Sequence, residues 1–320
     1  MEAAVLRAYG AAPEYGDHPA PSLVPGSVRV RITAAPVNPL DLLCASGTSY
    51  FGQPTLPYVP GTQGVGVTDD GRRVWLSCDA GMRPGDGSMA QWCAVGANAL
   101  LPLPDDVSDD LAAALGLSAI AAWMALSWRG GLKPGEHVLV LGASGTVGQV
   151  GVQAARLLGA GRVVAACRDD HGRVRAQELG ADAVADLTGD DPALVAAALA
   201  DATARRVDLV LDPVWGIPAE AAARVLSPRG RLVNLGAAAA PAATFSSAAL
   251  RSTMTSVIGY TNNALSPEQK AAALAEILGH AAAGRITADR RILPLHQIAD
   301  AWARCGQPPH RRAVMVPDGA

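Results

Sequence analysis

Three glycines, Gly142, Gly145 and Gly148, recur at every third position directly after the apolar run "HVLVL" at 137–141. The chemistry such a turn can do is to hold phosphate. The first glycine permits a tight turn, the second lets the backbone approach a pyrophosphate, and the third lets helix and strand pack closely. A helix opening at Thr146 and Val147 offers N–H groups and the positive end of its dipole. Ser144 completes the set of expected cofactor contacts in the turn. No lysine follows the glycines, which excludes a Walker-type P-loop.

The next apolar run, "GRVVAACRDD" at 161–170, bears on which nucleotide is held. An acid at its end would bind the ribose 2′-OH of NAD, whereas arginine accommodates the 2′-phosphate of NADP. Here Ala166 and Cys167 are followed by Arg168, about twenty residues past the glycines, so NADP(H) is the expected cofactor. Asp169 and Asp170 keep NAD open, because a shifted register would put a carboxylate on the ribose.

These residues need a scaffold, and the sequence supplies one. Residues 1–108 hold valine-rich alternating runs with dense proline and glycine, and "DDG" at 69–71 signals a hairpin. From about 119, short apolar runs ("EHVLVLG", "GRVVAAC", "DAVADL", "VDLVLDPV", "GRLVNLG") alternate with helical stretches. That alternation predicts an α/β fold, a doubly wound parallel sheet beside a smaller β domain. The helix "PEQKAAALAEILGHAAAG" precedes a tail whose last strand is expected to return to the first domain.

Bulk properties narrow the function classes. A chain of 320 residues is long for one core, half its residues are apolar, and its net charge is −3. Such a balance gives no attraction to nucleic acid or to an anionic membrane. Leu111–Trp128 runs without a charge, but it is mostly alanine, glycine and serine and begins after Ser108 and two aspartates, as a core helix does. Five scattered cysteines without a C-x-x-C pair, and no apolar leader in the first twenty residues, are expected of a cytoplasmic protein.

With these landmarks in place, the chain resembles the medium-chain dehydrogenase/reductase superfamily, and most its zinc-free quinone oxidoreductase (zeta-crystallin-like) branch. The resemblance rests on "VNPLD" at 37–41, "LPYVPGTQGVG" at 56–66, "GSMAQW" at 87–92 and the whole stretch 132–160. "VDLVLDPVWG" at 207–216 and "RRAVMVP" at 311–317 complete it. It implies a GroES-like catalytic domain over 1–118, completed by 287–320, and an NADP-binding Rossmann-type domain over 119–286. It also implies a homodimer and hydride transfer to a small-molecule substrate in an interdomain cleft.

One departure carries the chemistry. Zinc alcohol dehydrogenases of the superfamily place a Cys ligand where this chain has Asn38, and a His-Glu pair where it has Thr62 and Gln63. Catalytic zinc needs about three side-chain ligands and an open position, so no metal is expected. Without a Lewis acid the alkoxide of a plain ketone lacks a stabiliser, whereas an enone or quinone spreads the charge itself. The expected reaction is hydride transfer from NADPH to a quinone or α,β-unsaturated carbonyl compound.

By the same resemblance Asn38 faces the nicotinamide as a donor, the alternative being an amide that only stabilises its loop. Tyr50 is expected to give a proton or line the pocket, and Asp41 to brace the loop. Arg312 matches a terminal basic residue that approaches the cofactor phosphates in relatives, while Gly236 and Tyr260 flank the nicotinamide. Short-chain reductases are excluded, because no tyrosine has a lysine four residues on. Two alternatives stand beside the quinone reading: a pathway-specific enoyl reductase acting on an acyl thioester or polyketide, and a non-catalytic, crystallin-like NADP-binding protein.

Overall fold

The computed structural model describes residues 1–319. In chain order its elements are β1 (Glu2–Val5), β2 (Glu14–Asp17), β3 (Ser27–Pro36), α1 (Pro39–Ala45), β4 (Gln63–Thr68), β5 (Arg73–Ser77), β6 (Trp92–Gly96), β7 (Leu100–Pro102) and α2 (Asp109–Met124). Then follow β8 (His137–Leu141), α3 (Thr146–Leu157), β9 (Arg162–Cys167), α4 (Asp170–Glu178), β10 (Ala183–Asp186), α5 (Pro192–Ala202), β11 (Leu209–Asp212) and α6 (Gly216–Ala223). The remainder is β12 (Arg231–Asn234), α7 (Ser247–Thr253), β13 (Ser256–Gly259), α8 (Pro267–Ala282), β14 (Arg290–Pro294), α9 (Ile298–Ala303) and β15 (Arg312–Val316). They form two compact units. The first contains Met1–Gly116, Ala288–Gln307 and the residues from Arg311 onward; the second contains Leu117–Thr287 and Pro308–His310.

The first unit is built on a sheet ordered β14-β15-β3-β4-β5-β7, with β6 also paired to β3. Along β3 the alternation of "SVRVRITAAP" buries Val30, Ile32 and Ala34, which turn one face inward as a period of two requires. The core they join includes Leu6, Leu76 and Met89. β4 and β5 pair antiparallel across the 69–71 turn, where Gly71 has φ +84°. The tail strand β15 does return to this unit: it lies antiparallel to β3, with Val314 opposite Pro36 and Met315 opposite Ala35.

The second unit is a parallel sheet ordered β10-β9-β8-β11-β12-β13. Numbered within the unit this is 3-2-1-4-5-6, the doubly wound order in which the strand sequence reverses between β8 and β11. A crevice at the carboxyl ends of the strands is the usual ligand position in such a sheet. The fold is therefore the α/β arrangement that the alternating runs predict. The periodicity did not reveal α7 and β13: β13 is an edge strand with Ser256, Val257 and Gly259 exposed, so it lacks a buried strand's apolar run.

The charge-free stretch forms a long helical segment, Asp109–Arg129, of which 72% of the most apolar window is buried inside the protein. Leu115, Ile120 and Leu126 are fully buried. The segment is not continuous helix. Gly116 leaves helical geometry, at φ +23° and ψ −123°, and what occupies the space beside it matters below.

A dinucleotide cradle and a buried amide cluster

The glycine turn links β8 to α3, and each glycine has its own physical reason. Gly142 has φ +62°, a conformation that disfavours a Cβ. A Cβ on Gly148 would lie 2.3 Å from the Gly142 carbonyl oxygen, so helix and turn approach as closely as backbone allows. At Gly145 the nearest atom to a Cβ would be 3.6 Å away; this glycine faces room, as a position next to a ligand should. α3 begins at Thr146 without a side-chain cap, and its first N–H groups, at Thr146, Val147 and Gly148, have no intrahelical acceptor. A pyrophosphate placed there would satisfy them and meet the positive end of the dipole.

Ser144 sits beneath the turn rather than open to it. Its hydroxyl donates to Asp169 Oδ2, and its carbonyl accepts from Gln149 Nε2 at 2.8 Å. Asp169 also caps α4, accepting from the Gly172 N–H at 2.7 Å. Burial would raise its pKa, but the Ser144 hydroxyl and the Gly172 amide outweigh that and hold it below the usual carboxylate range. The carboxylate that left NAD open is thus committed to backbone and serine. Arg168, just past β9, is exposed and has no ion-pair partner among the described residues. His310 lies 3.9 Å from Asp169 and feels the charge of Arg168 as well. Its place here comes from a return of the chain far from the glycine motif.

At the carboxyl ends of β11 and β12, Asn234 Nδ2 donates to Asp212 Oδ2 at 3.0 Å and to the Gly236 carbonyl at 2.7 Å. Asp212 is fully buried and also accepts from the Val214 and Trp215 N–H groups at 3.0 and 2.8 Å. Its pKa is raised by burial, against these donors. Gly236 is pressed to the backbone, a Cβ there lying 2.6 Å from the Pro213 oxygen. Trp215 has φ +62°, a conformation costing a bulky residue about 1–3 kcal/mol and concentrated at functional sites. Neither Asp212 nor Asn234 was singled out from sequence, though an acid closing the run "VDLVLD" was a readable signal. Tyr260 is half-buried after β13; its hydroxyl donates to Asn262 Oδ1 at 2.7 Å, and burial raises its pKa.

In the first unit the decisive residues are neutral. Asn38 precedes α1 and is 4% exposed, Gln63 opens β4 and is fully buried, and Trp75 in β5 is 1% exposed. Trp75 Nε1 donates to Gln63 Oε1 at 3.1 Å, and Gln63 Nε2 donates to Asn38 Oδ1 at 3.2 Å. Gly116 makes the space: a Cβ there would lie 1.8 Å from Gln63 Oε1 and 2.7 Å from Trp75 Nε1. Asn38 Nδ2 is buried and has no hydrogen-bond partner. Orphaned buried donors are rare, because each costs about 1–3 kcal/mol. Such a donor, beside the Gln63 amide and the Trp75 indole that are already hydrogen-bonded, is what a bound ligand oxygen would complete.

Asp41 holds this loop. Its carboxylate accepts from the Asn38 N–H and the Thr62 N–H, both at 2.8 Å. Burial raises its pKa, opposed by those donors and by the charge of Arg312. Arg312, expected near the cofactor phosphates, is placed in this unit. Its side chain is 8% exposed and turned inward, Nη1 donating to the Val37 carbonyl at 2.7 Å. It therefore braces the segment carrying Asn38, and burial lowers its pKa. Tyr50 stands apart from the amide cluster, 78% exposed with its ring 4.2 Å from that of Phe51.

The donor set at 38, 62 and 63 does not fit catalytic zinc. It offers amides and a hydroxyl where the metal takes thiolate, imidazole or carboxylate. Among the described residues no group of three or more His, Cys, Asp or Glu side chains converges as a metal site.

Known proteins place the chain in a family. Residues 146–278 match the zinc-binding dehydrogenase family, a match that leaves out 38, 62 and 63. A phenolphthiocerol/phthiocerol polyketide synthase polypeptide of Mycobacterium tuberculosis is 32% identical over 301 residues, 90% of this chain and 13% of that protein. Human quinone oxidoreductase is 33% identical over 142 residues, 41% of each chain. The chain thus spans well under two thirds of both these relatives. The quinone oxidoreductase of Thermus thermophilus, solved also in complex with NADPH, covers 99% of this chain and 100% of its own at 30% identity and a TM-score of 0.79. With the 3-2-1-4-5-6 sheet and its glycine turn, these matches show that the chain belongs to the quinone oxidoreductase branch of the medium-chain dehydrogenase/reductase superfamily.

Proposed function

We infer that the protein is an NADPH-dependent, zinc-independent reductase of a quinone or an α,β-unsaturated carbonyl compound. The observation that carries this is the buried, unpartnered Nδ2 of Asn38 in an all-neutral amide cluster. When bound, the reduced nicotinamide supplies a hydride. A conjugated acceptor then gathers negative charge on its oxygen as an enolate or phenolate, and one neutral N–H in a dry site suffices to hold it. Asn38 Nδ2 is that donor, fixed by Gln63 through its oxygen and by Asp41 through its backbone N–H. Tyr50 remains the candidate proton donor or pocket wall.

The test follows NADPH oxidation against a panel of quinones and enones, before and after dialysis against a chelator. Turnover unchanged by the chelator is expected. Activity that vanishes on dialysis and returns with a divalent ion would overturn zinc independence. Tight NADPH binding without turnover on any acceptor would leave the non-catalytic, crystallin-like alternative. The 32% identity to a polyketide synthase polypeptide across 90% of this chain favours one second reading, an enoyl reductase of acyl thioesters. Including an enoyl thioester in the panel separates it, by a kcat/KM well above that for free enones.

Cofactor choice is part of the proposal. Arg168, exposed beside the end of β9 with Asp169 already committed, is suited to a 2′-phosphate. Arg168→Ala is expected to weaken NADPH binding about tenfold and leave NADH binding within about twofold, since a charge-assisted contact contributes about 1.5–3 kcal/mol when buried and less when exposed. Equal weakening of both nucleotides would contradict this role. A cytoplasmic homodimer belongs to the same proposal. Among the described residues β13 is bonded on one edge only, to β12, and Met254 and Val257 beside it are exposed, so a second copy's edge strand fits there. Sedimentation of the protein at the mass of one chain would argue against it.

A further inference from the structure

An amide has two ends, and only one of them is of use at Asn38. Turned one way, the free end is an N–H donor that attracts an oxyanion; turned the other way, it is a carbonyl oxygen that repels one. The two ends have nearly the same shape, so the choice rests on their hydrogen-bond partners, the Asp41 N–H of the capping box among them. Something nearby must make the choice.

The geometry points to Trp75 and Gln63 as positioning residues that set the polarity of Asn38, so that its N–H end is the one left free. This rests on the reading of Asn38 as the oxyanion donor. Indole nitrogen can donate and cannot accept. Trp75 Nε1, 3.1 Å from the Gln63 side chain, therefore requires the amide oxygen of Gln63 on its side. That turns Gln63 Nε2 toward Asn38, 3.2 Å away, which in turn requires the Asn38 oxygen to face Gln63. Asn38 Nδ2 is left as the open end, and it has no partner in the protein. A residue incapable of accepting, acting through Gln63, thus joins the Asp41 N–H in fixing the sign of the dipole presented to substrate. Gly116 is part of the device, because any side chain there would collide with the Gln63 oxygen and the indole nitrogen together.

The relay is tested by reversing its middle member. Gln63→Glu keeps the shape. Protonated, the glutamate still accepts from Trp75 and donates to the Asn38 oxygen; ionised, it can only accept, draws the Asn38 NH2 toward itself and turns the carbonyl outward. Asp41 and Arg312 are the buried charges of this unit among its described residues, and both are present in the wild-type reference, so the ratio of variant to wild-type kcat isolates position 63. Buried glutamates titrate as high as about pH 8–9, so the ratio is expected to fall at least about tenfold between about pH 6 and pH 9 along a single ionisation. A ratio independent of pH overturns the relay; the pH-dependent fall counts for it only together with its loss in the Asn38→Ala background, since a carboxylate at 63 also repels the oxyanion directly.

Trp75→Phe gives a second readout should the glutamate variant fold poorly. It is expected to lower kcat about three- to tenfold, the effect of one lost hydrogen bond, with NADPH affinity unchanged. In an Asn38→Ala background the same replacement is expected to change kcat less than twofold, because it acts only through that amide. Equal effects of Trp75→Phe in both backgrounds overturn the proposal. If instead Asn38→Ala alone leaves kcat intact, the donor reading of Asn38 falls first, and the relay with it; a collapse of kcat in Asn38→Ala with a flat Gln63→Glu profile sinks the relay alone.

Discussion

Replacing Asn38 by alanine is expected to lower kcat for the preferred quinone or enone by about 100- to 1000-fold, the loss seen when one preorganised oxyanion donor is removed. Substrate KM and NADPH affinity should move little, because the donor matters most as charge develops on the acceptor oxygen. The size of the effect follows from the site. Asn38 is 4% exposed and its Nδ2 has no protein partner, so water does not take over its part when the side chain is truncated. Stopped-flow traces of NADPH oxidation give the chemical step directly. A rate within about threefold of wild type, less than one ordinary hydrogen bond would explain, removes Asn38 from the mechanism.

The second large effect concerns stability. Asp41→Asn is expected to destabilise the protein by about 1–3 kcal/mol, the cost of leaving a buried donor without its acceptor. The carboxylate takes one N–H on each of its oxygens, from Asn38 and from Thr62. An amide has one acceptor oxygen, so its NH2 must face one of those donors. Arg312, buried against the Val37 carbonyl, loses the nearby negative charge at the same time. Urea unfolding of the single variant and of Asp41→Asn with Arg312→Met measures this. The double variant should recover part of the loss, because a buried cation is no longer left uncompensated. Strict additivity of the two replacements would show that the charges are not coupled.

The scaffold was legible in the sequence to the extent that burial leaves a periodic trace. β8, β9, β11 and β12 are buried on both faces and announce themselves as apolar runs bounded by turns. β13 does not, since a half-exposed edge has no such trace. The glycine turn was readable for the same kind of reason: each glycine answers a local steric demand. Position in a motif says which segment Arg312 is on, and not which way its long side chain turns; here Nη1 reaches the Val37 carbonyl. The Trp75–Gln63–Asn38 line was invisible, because its members lie 12 and 25 residues apart. Only the pairing of β4 with β5, and the break at Gly116, bring them into register.

One consequence follows from the order of synthesis. The first unit takes β3 from near the start of the chain and β15 from residues 312–316, with all of Leu117–Thr287 between them. A ribosome therefore delivers the complete nucleotide-holding unit, short only of Pro308–His310, while the β unit still waits for its final strand. Until Arg312 emerges, Asp41 lacks its nearby positive charge and one flank of β3 stays unzipped, so the parallel-sheet unit is free to fold before the β unit closes.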